Sequence, residues 1–450
     1  MEFMPYTPRT VAVFILNRIE RHNAFAEPLL DAWLSRKIFT DIHDRRLLTQ
    51  LVYGTLRMRN HIDWIICHIY RGNAATLDPG LKNILRVALF QIMFTDRIPP
   101  FAAVDEAVKA AKTTFPGREG LVNGILRNAI RRMKEIPLPD LTTAPSRHIS
   151  VVHSHPEWMV TRWIQRLGVN ETLSLCMRNN AIPPFTLRVN MLKTTRDDVL
   201  KNLDDSAITA WPTPYSPCGV TIENPVLPLK TLPLYTGGHI QVQDEASQLI
   251  SFLAHPRPGE KILDLCAGVG IKTTHMAELM RNRGTVTALD IRDRKNIALR
   301  ALVERLGATI ITPRQGDAGE DLGAEFHGQF DRVVLDAPCS GLGTLRRHPE
   351  IKWRRVEKDI QNCAHIQKKI LHTAASYTKI GGVLVYTTCS TEYEEDEAVV
   401  YEFLQHHHDY ELVDPGPDIS KDLIDRDGFF RTWPHHHNTD GFFGAILKRK

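Results

Sequence analysis

The sequence predicts a multidomain protein with an all-α bundle, a small α+β connector and an α/β domain built on a doubly wound, mainly parallel sheet. The chain has 450 residues, 43% of them hydrophobic, whereas single cores rarely grow beyond about 250–300 residues. The spacing of apolar residues also changes twice, from helical to mixed and then to alternating strands and helices. These changes divide the chain into residues 1–135, a linker at 136–150, a connector at 151–240 and a third domain at 241–450.

The first domain is predicted to be helical. From Arg9 to Met133 apolar residues recur every three to four positions, with almost no strand-like alternation. The interruptions, such as Asp78-Pro-Gly and Phe115-Pro-Gly, are turn sequences rather than strand ends. Ile136-Pro-Leu-Pro then opens the stretch that we interpret as the linker.

Basic residues are concentrated in this helical part. The net charge of +4 divides into +7 over residues 1–150, +1 over 151–240 and −4 over 241–450. A cationic helical domain favours a polyanion partner, because phosphate neutralisation supplies most of the sequence-independent affinity for nucleic acid. An ordinary solvated surface is the alternative that charge alone leaves open.

The two later domains differ in how strands and helices follow one another. The connector begins with a helical pattern and continues with the β-rich Phe185-Thr-Leu-Arg-Val, which predicts an α+β domain. Beyond Gln241, helical patterns separate compact apolar runs, as in a doubly wound sheet whose ligands lie at the carboxyl ends of the strands. The runs are Lys261 to Leu265, Thr285 to Asp290, Thr309 to Thr312, Arg332 to Asp336 and Val383 to Thr387.

Cysteine usage and hydropathy predict a cytoplasmic protein with no membrane partner. The seven cysteines are an odd number, are widely spread and show no metal-ligand spacing, as expected of free thiols in a reducing compartment. No apolar run approaches the ~18 residues that span a bilayer. The first ten residues also lack the basic and then apolar pattern of a signal peptide.

The first strand of the third domain ends in a turn of small residues. Asp264-Leu-Cys-Ala-Gly-Val-Gly-Ile-Lys-Thr-Thr leads directly into a helix, so a ligand can approach the backbone closely. A Walker phosphate loop would need glycine at Cys266 and Ile271, and a dinucleotide fingerprint would need a third glycine at Thr273. The remaining interpretation is the loop of a class I methyltransferase, which binds S-adenosylmethionine.

Aspartates at successive strand ends support that interpretation. Asp290 closes the second strand 20 residues after Gly270, where a carboxylate would accept bonds from ribose hydroxyls. Asp317 follows the third strand, where it would bond the adenine amino group, and Asp336 ends the fourth. A single aspartate in such a place is more often a helix cap or a turn former, but three in succession favour a cofactor site.

Two cysteines follow later strands, Cys339 in Asp336-Ala-Pro-Cys-Ser and Cys389 in Thr-Thr-Cys-Ser. A lone cysteine at a strand end is usually a small buried apolar residue. Two cysteines that reach one crevice beside a cofactor loop favour a catalytic role.

Methylation of cytosine at C5 would use two such groups. C5 of cytosine becomes nucleophilic only after a thiolate adds to C6, and the C5 proton must then leave. Asp336 would hydrogen-bond the cytosine edge as charge develops. Amino-group methyltransferases carry an Asp/Asn-Pro-Pro-aromatic turn here, so Ala-Pro-Cys339 favours carbon methylation.

These motifs resemble a known enzyme family. The segments that begin at Asp264, Asp336 and Thr388 are similar to motifs of the NOL1/NOP2/Sun family of RNA cytosine C5-methyltransferases, over about residues 151–450. The helical part, with Asp105-Glu-Ala-Val-Lys and Leu121-Val-Asn-Gly-Ile-Leu-Arg-Asn, resembles the RNA-binding NusB fold. The pairing is similar to the bacterial RsmB (Sun/Fmu) subfamily, which implies 16S ribosomal RNA as the substrate.

The resemblance implies a role for each matching residue. Cys389 would be the nucleophile, and Cys339 would assist proton removal and product release. The positions that match the S-adenosylmethionine site are Cys266, Ala267, Gly268, Val269, Gly270, Ile271, Lys272, Asp290, Asp317 and Asp336. The family usually has Pro-Gly-Gly-Lys where this chain has Val269-Gly-Ile-Lys. A branched residue at 271, where glycine lets the backbone approach, predicts weaker or altered cofactor binding.

A cationic and aromatic segment follows the first cysteine motif. Its composition suits phosphate contacts and base stacking, with a solvated helix face as the alternative. The predicted contacts with a single-stranded or flipped-out cytosine region are Arg346, Arg347, His348, Lys352 and Trp353.

Two histidine triplets are the remaining candidate ligands. Neither His406–His408 nor His435–His437 has a carboxylate or cysteine at zinc spacing, so we predict no metal, and we expect a monomer. Two other functions stay open at this point. One is a non-catalytic RNA-binding ribosome assembly factor, and the other is the same chemistry on transfer RNA or large-subunit ribosomal RNA.

Overall fold

The computed structural model describes residues 6–36, 38–223 and 231–450. The chain forms two compact units. The helical unit comprises residues 1–181 and 345–355, and the sheet unit comprises residues 182–344 and 356–450.

Helices and strands are numbered separately in chain order. The helices are α1 (Pro8–His22), α2 (Ala26–Leu34), α3 (Ile42–Arg57), α4 (Arg59–Ile69), α5 (Pro79–Phe94), α6 (Pro100–Thr114), α7 (Glu119–Arg132), α8 (Pro145–Val152), α9 (Glu157–Leu167), α10 (Val169–Asn180), α11 (Arg196–Asp205), α12 (Pro233–Thr236), α13 (Glu245–Ala254), α14 (Ile271–Leu279), α15 (Asp293–Leu306), α16 (Ile351–Arg354), α17 (Lys358–Ala375), α18 (Glu397–His406) and α19 (Pro434–His437). The strands are β1 (Phe185–Val189), β2 (Ala210–Pro212), β3 (Gly219–Ile222), β4 (Ile240–Val242), β5 (Lys261–Asp264), β6 (Thr285–Asp290), β7 (Ile311–Gln315), β8 (Phe330–Asp336), β9 (Thr378–Thr388), β10 (Tyr410–Val413), β11 (Phe430–Thr432) and β12 (Phe442–Arg449).

The helical unit contains α1–α10 and α16. Its first seven helices form the predicted bundle around an apolar core that includes Ile15, Leu48 and Leu85. The break at Asp78-Pro-Gly acts as a helix start, because the Asp78 carboxylate accepts a bond from the Gly80 amide at 2.7 Å and proline occupies the first turn of α5.

The predicted linker at 136–150 is wrong in one respect, because it contains the start of α8 and packs into the helical unit. The Trp64 indole donates to the Pro137 carbonyl at 3.2 Å, and the side-chain amide of Asn60 donates to the Ser150 carbonyl at 2.9 Å. The helical start of the predicted connector, which is α9 and α10, belongs to the same unit. These hydrogen bonds join residues 73 to 90 positions apart, which a local composition pattern does not reveal.

The sheet unit contains two sheets. The smaller has the strand order β2-β3-β1-β4 and is antiparallel throughout. The larger has the order β10-β12-β9-β8-β5-β6-β7, with β11 added beside β12. Strands β7, β6, β5, β8 and β9 are parallel, and β12 runs antiparallel to β9.

The larger sheet confirms the predicted doubly wound fold. The chain runs from β5 to β6 and β7 on one side and returns to β8 on the other, so the order reverses between β5 and β8. Such a reversal opens a crevice at the carboxyl ends of the strands, where ligands bind in this class of fold. Of the predicted strands, the one at Thr309–Thr312 lies too early, because β7 starts at Ile311, and the one at Val383–Thr387 is too short, because β9 starts at Thr378. Among the described helices, none has the length and apolar character required to cross a membrane.

Candidate active site

The turn after β5 adopts the tight conformation that its glycines predict. Gly268 and Gly270 have φ values of +61° and +86°, in the left-handed region that glycine tolerates best. A Cβ built on Gly270 would lie 2.0 Å from Leu299 Cδ1, so the space there is already filled. Ile271 has no positive φ and simply begins α14, so its branched side chain does not strain the turn.

A buried arginine from the smaller sheet holds the first turn of α14. Arg188 lies on β1 and has 0% exposure. Its guanidinium donates to the Ile271 carbonyl at 2.7 Å, to Thr274 Oγ1 at 3.2 Å and to Glu278 Oε1 at 2.8 Å. The sequence did not reveal Arg188, because the alternation in Phe185-Thr-Leu-Arg-Val places it on the polar face of β1.

Asp290 joins the second strand to the glycine turn. Its Oδ2 accepts bonds from the Gly268 amide at 3.0 Å and from Lys295 Nζ at 3.1 Å, and its Oδ1 accepts from the Arg292 amide at 2.9 Å. Asp317, two residues beyond β7, is exposed, and its Oδ1 accepts from the Gly319 amide at 2.8 Å. A carboxylate accepts about four hydrogen bonds, so both groups keep acceptor positions for a ligand.

These features fit S-adenosylmethionine. Asp290 pairs with Gln315 across β6 and β7, so the chain segment with Asp317 leaves the sheet beside it. Carboxylates at neighbouring strand ends suit ribose hydroxyls and an adenine amino group, and a turn without side chains at two glycines suits close backbone contact. Cys266, which also matched the cofactor motif, is mainly buried, and burial raises the pKa of its thiol.

Asp336, at the end of β8, forms an ion pair with Lys272. Lys272 Nζ lies 2.6 Å from Asp336 Oδ2, and Thr387 Oγ1 donates to Asp336 Oδ1 at 3.2 Å. Burial lowers the pKa of Lys272, but the Asp336 carboxylate outweighs burial and the net pKa is raised, so the amine stays charged. The neighbouring Asp264 has its pKa raised to about 7 by burial.

The two predicted cysteines lie side by side. Cys339 Sγ and Cys389 Sγ are 3.2 Å apart, both are half-buried, and neither forms a disulfide. Their proximity follows from the sheet, because Asp336 on β8 pairs with Thr387 on β9 and each cysteine follows its strand by a few residues. The hydrogen bond to Cys389, followed by burial, raises the pKa of Cys339 well above that of a free thiol. The Cys339 thiol therefore stays protonated.

A buried glutamate in the segment that follows Cys389 ties these two loops together. Glu395 has 0% exposure, and its carboxylate accepts bonds from both Ser340 and Ser390, the residues after the two cysteines. The sequence signal that could have revealed this link is the serine that follows each of Cys339 and Cys389.

The predicted RNA contacts Arg346 and Lys352 are wrong, because both side chains are buried in the helical unit, at 3% and 0% exposure. Lys352 Nζ donates to the Arg57 carbonyl at 3.0 Å, to the Ser154 carbonyl at 2.8 Å and to Asn180 Oδ1 at 2.9 Å.

Trp353 is half-buried, and its contact with RNA stays a prediction. Its indole donates to the Leu56 carbonyl at 2.7 Å, and its ring packs on the helical core. Arg347 and His348 are half-buried, so contact between these two residues and RNA stays a prediction.

Two histidines of the first triplet have neighbours that the sequence did not bring together. His406 lies beside His372 and Glu402, with one ligand atom of each within 4.8 Å of the others. His372 Nδ1 and His407 Nε2 are 2.8 Å apart, so these side chains form hydrogen bonds among themselves. The expected lack of a metal stays a prediction.

Comparisons with known proteins assign all three parts of the chain to described families. Family models match residues 6–131 (NusB family), 155–228 (Methyltr_RsmF/B-like, ferredoxin-like domain) and 251–448 (16S rRNA methyltransferase RsmB/F). A probable ribosomal RNA small subunit methyltransferase B from Bacillus subtilis is 35% identical over 98% of this chain and 98% of its own. Ribosomal RNA small subunit methyltransferase B from Shigella flexneri is 36% identical over 90% of this chain and 91% of its own. The crystal structure of PH0851 is 29% identical, covers 99% of this chain and 100% of its own, and has a TM-score of 0.83.

Proposed function

The chain belongs to the ribosomal RNA small subunit methyltransferase B family, and we propose that it methylates C5 of a cytosine in 16S ribosomal RNA through a covalent bond from Cys389 to C6. The observation that carries the proposal is the 3.2 Å approach of Cys339 Sγ and Cys389 Sγ beside the cofactor turn. Methylation of a ring carbon requires one group to attack and another to manage a proton, whereas amino-group methylation requires neither.

Residues 266–272 with Asp290, Asp317 and Asp336 would hold S-adenosylmethionine. When bound, this cofactor supplies the methyl group and a positive sulfonium, which favours a nearby thiolate. Asp290 would accept bonds from the ribose hydroxyls, and Asp317 would accept one from the adenine amino group. Arg188 acts indirectly, because it fixes the carbonyl of Ile271 at the start of α14.

Cys389 begins the reaction as a thiolate. Its Sγ bonds to C6, and the electron pair of the C5–C6 double bond makes C5 a carbon nucleophile. Asp336 Oδ1 accepts a hydrogen bond from the cytosine amino group, and the Lys272 ammonium balances the charge of this carboxylate. C5 then accepts the methyl group while it still carries its proton.

Cys339 completes the reaction. Bonding to C6 removes the negative charge of Cys389, and with it a cause of the raised pKa of Cys339. Cys339 then loses its proton to solvent and, as a thiolate, takes the proton from C5. The C5–H electron pair restores the double bond to C6 and expels Cys389 as a thiolate.

The substrate cytosine must lie outside a base-paired stack. A thiolate meets C6 only from above or below the ring plane, and both faces are covered in a helix, so the base is unpaired or flipped out.

The deciding experiment is methyl transfer from labelled S-adenosylmethionine to unmodified 16S ribosomal RNA, with the modified base mapped by bisulfite sequencing. We expect 5-methylcytosine at a single position. Transfer only to transfer RNA or large-subunit RNA would redirect the proposal. Calorimetric binding of RNA without any transfer to any RNA would instead support an assembly factor.

A further inference from the structure

Glu395 lies in the turn between β9 and α18, close behind the two cysteines. Its Oε1 accepts bonds from the Ser340 amide at 2.7 Å and from Gln367 Nε2 at 3.1 Å. Its Oε2 accepts bonds from the hydroxyls of Ser340 and Ser390, each at 2.5 Å. The four acceptor positions of the carboxylate are therefore all used by donors.

The partners of Glu395 are the reason to connect it with the reaction. Ser340 follows Cys339 and Ser390 follows Cys389, so one carboxylate bonds the residue next to each sulfur. Gln367 adds a second link, because its amide also donates to the carbonyl of Pro338, the residue before Cys339. A bridge of this kind acts together with the bond from the Gly343 amide to the Cys389 carbonyl, at 2.9 Å, to fix the distance between the two loops.

We propose that Glu395 is a positioning residue for the cysteine pair, and that it sets the separation of Cys339 and Cys389 and keeps a negative charge behind Cys339. A polar cluster that only stabilises the core would not need to touch the residue after each of the two cysteines. This inference rests on the proposed function for its effect on turnover, but its effect on the thiols does not.

The charge has a specific consequence. Four donors favour the ionised carboxylate, although burial raises the pKa of Glu395. The negative charge of Glu395 is one cause of the raised pKa of Cys339, after the bond to Cys389, burial and the charge of Cys389. Removing that charge while keeping the shape should therefore make the Cys339 thiol easier to ionise.

The test measures thiol reactivity in the free protein, so it does not depend on the substrate. Alkylation of Cys339 and Cys389 by iodoacetamide is followed against pH by mass spectrometry in wild-type protein, Glu395→Gln, Glu395→Asp and the control Glu411→Gln. Glu411 lies on β10, an edge strand of the larger sheet, and its side chain is 50% exposed. We expect the Cys339 profile of Glu395→Gln to move about one pH unit lower, and the Glu411→Gln profile to match wild type.

Glu395→Asp separates the effect of the negative charge at residue 395 from the effect of the side-chain length. The shorter side chain keeps its charge but cannot bridge both serines. Its Cys339 profile should therefore also move lower, because a changed separation weakens the bond to Cys389 that raises the pKa of Cys339. In the methyl-transfer assay both Glu395 variants should lose about 10- to 100-fold in kcat, with S-adenosylmethionine affinity unchanged by calorimetry.

The outcomes are distinct. An unshifted Cys339 profile in a folded Glu395→Gln protein, with a lower melting temperature as the only change, overturns the inference and leaves a structural role. If Glu395→Gln does not fold, the single variants Ser340→Ala and Ser390→Ala replace it, and unchanged turnover in both overturns the inference. A wild-type protein that transfers no methyl group but shows the predicted thiol shift contradicts the proposed function alone.

Discussion

Replacing Lys352 with methionine should destabilise the helical unit rather than weaken RNA binding. The Lys352 ammonium donates to three buried oxygens and has no exposed surface. Methionine occupies a similar volume but has no donor, so those oxygens lose a partner. Each buried acceptor without a partner costs about 1–3 kcal/mol. Methionine also removes the cost of burying the lysine charge, which offsets part of the total loss for the three acceptors. We expect the free energy of unfolding to fall by about 2–4 kcal/mol.

The measurement is urea unfolding of the full chain, combined with native-state hydrogen exchange. Lys352 contacts the carbonyl that ends α3 and a residue just after α8, so exchange should accelerate most in α3, α4 and α8. Lys358→Met is the matched control, because Lys358 is exposed at the start of α17. Its unfolding curve should match that of wild type.

The same variant should change how stability depends on pH. Burial lowers the pKa of Lys352 well below its value in the unfolded chain. Between that lowered pKa and about 10.4, the unfolded chain binds more protons at this residue, so wild-type stability gains from rising pH. Methionine removes this gain. The deficit of Lys352→Met relative to wild type should therefore grow as the pH rises through this window.

An unchanged urea midpoint for Lys352→Met would refute this reasoning. If Lys352 instead contacted an RNA phosphate, the variant would bind RNA more weakly. The slope of the logarithm of the binding constant against the logarithm of salt concentration would then also fall by about one. Filter binding to 16S ribosomal RNA at several salt concentrations distinguishes the two results.

Three further predictions concern the active site. Cys389→Ala should abolish methyl transfer, whereas Cys339→Ala should accumulate a protein–RNA adduct on denaturing gels, because attack remains but release is blocked; the opposite pattern would exchange the two roles. Gly270→Ala should weaken S-adenosylmethionine binding by about 1–3 kcal/mol in calorimetry, because its Cβ would lie 2.0 Å from a side-chain atom. The control is Gly268→Ala, whose Cβ would lie 4.0 Å from its nearest neighbours. This control should lose less binding free energy. Asp264→Asn should leave stability unchanged near pH 4 and raise it at pH 8, since the pKa of Asp264 is raised to about 7 and ionisation of the buried acid costs wild-type stability as the pH rises; equal urea midpoints at pH 8 would contradict this.

The sequence predicted the site wherever a local pattern determined the position. Asp290, Asp336 and both cysteines follow strands that their own apolar residues define, and the ends of parallel strands meet at one edge of a sheet. The larger sheet followed from the same patterns, whereas the identity of the folds came from the resemblance to known families.

Residues whose partners are distant in sequence could not be placed in this way. Lys352 bonds to residues 172 to 295 positions away, and the composition of its segment is equally typical of an exposed basic patch. Glu395 reaches Ser340 across 55 positions, which no local period encodes. The predicted linker failed for the same reason, because prolines mark a turn but not what the turn packs against.

Residues 345–355 limit how far the helical unit can be separated from the rest of the chain. A fragment that ends at Ala181 lacks Glu350, whose carboxylate accepts from the Ala26 amide at 3.0 Å at the start of α2, and also lacks Lys352 and its bonds. The unit is therefore completed only after the chain has passed through four of the eight strands of the larger sheet. During synthesis the helical unit therefore lacks these bonds until residues 345–355 have been made, although its other residues come first in the chain.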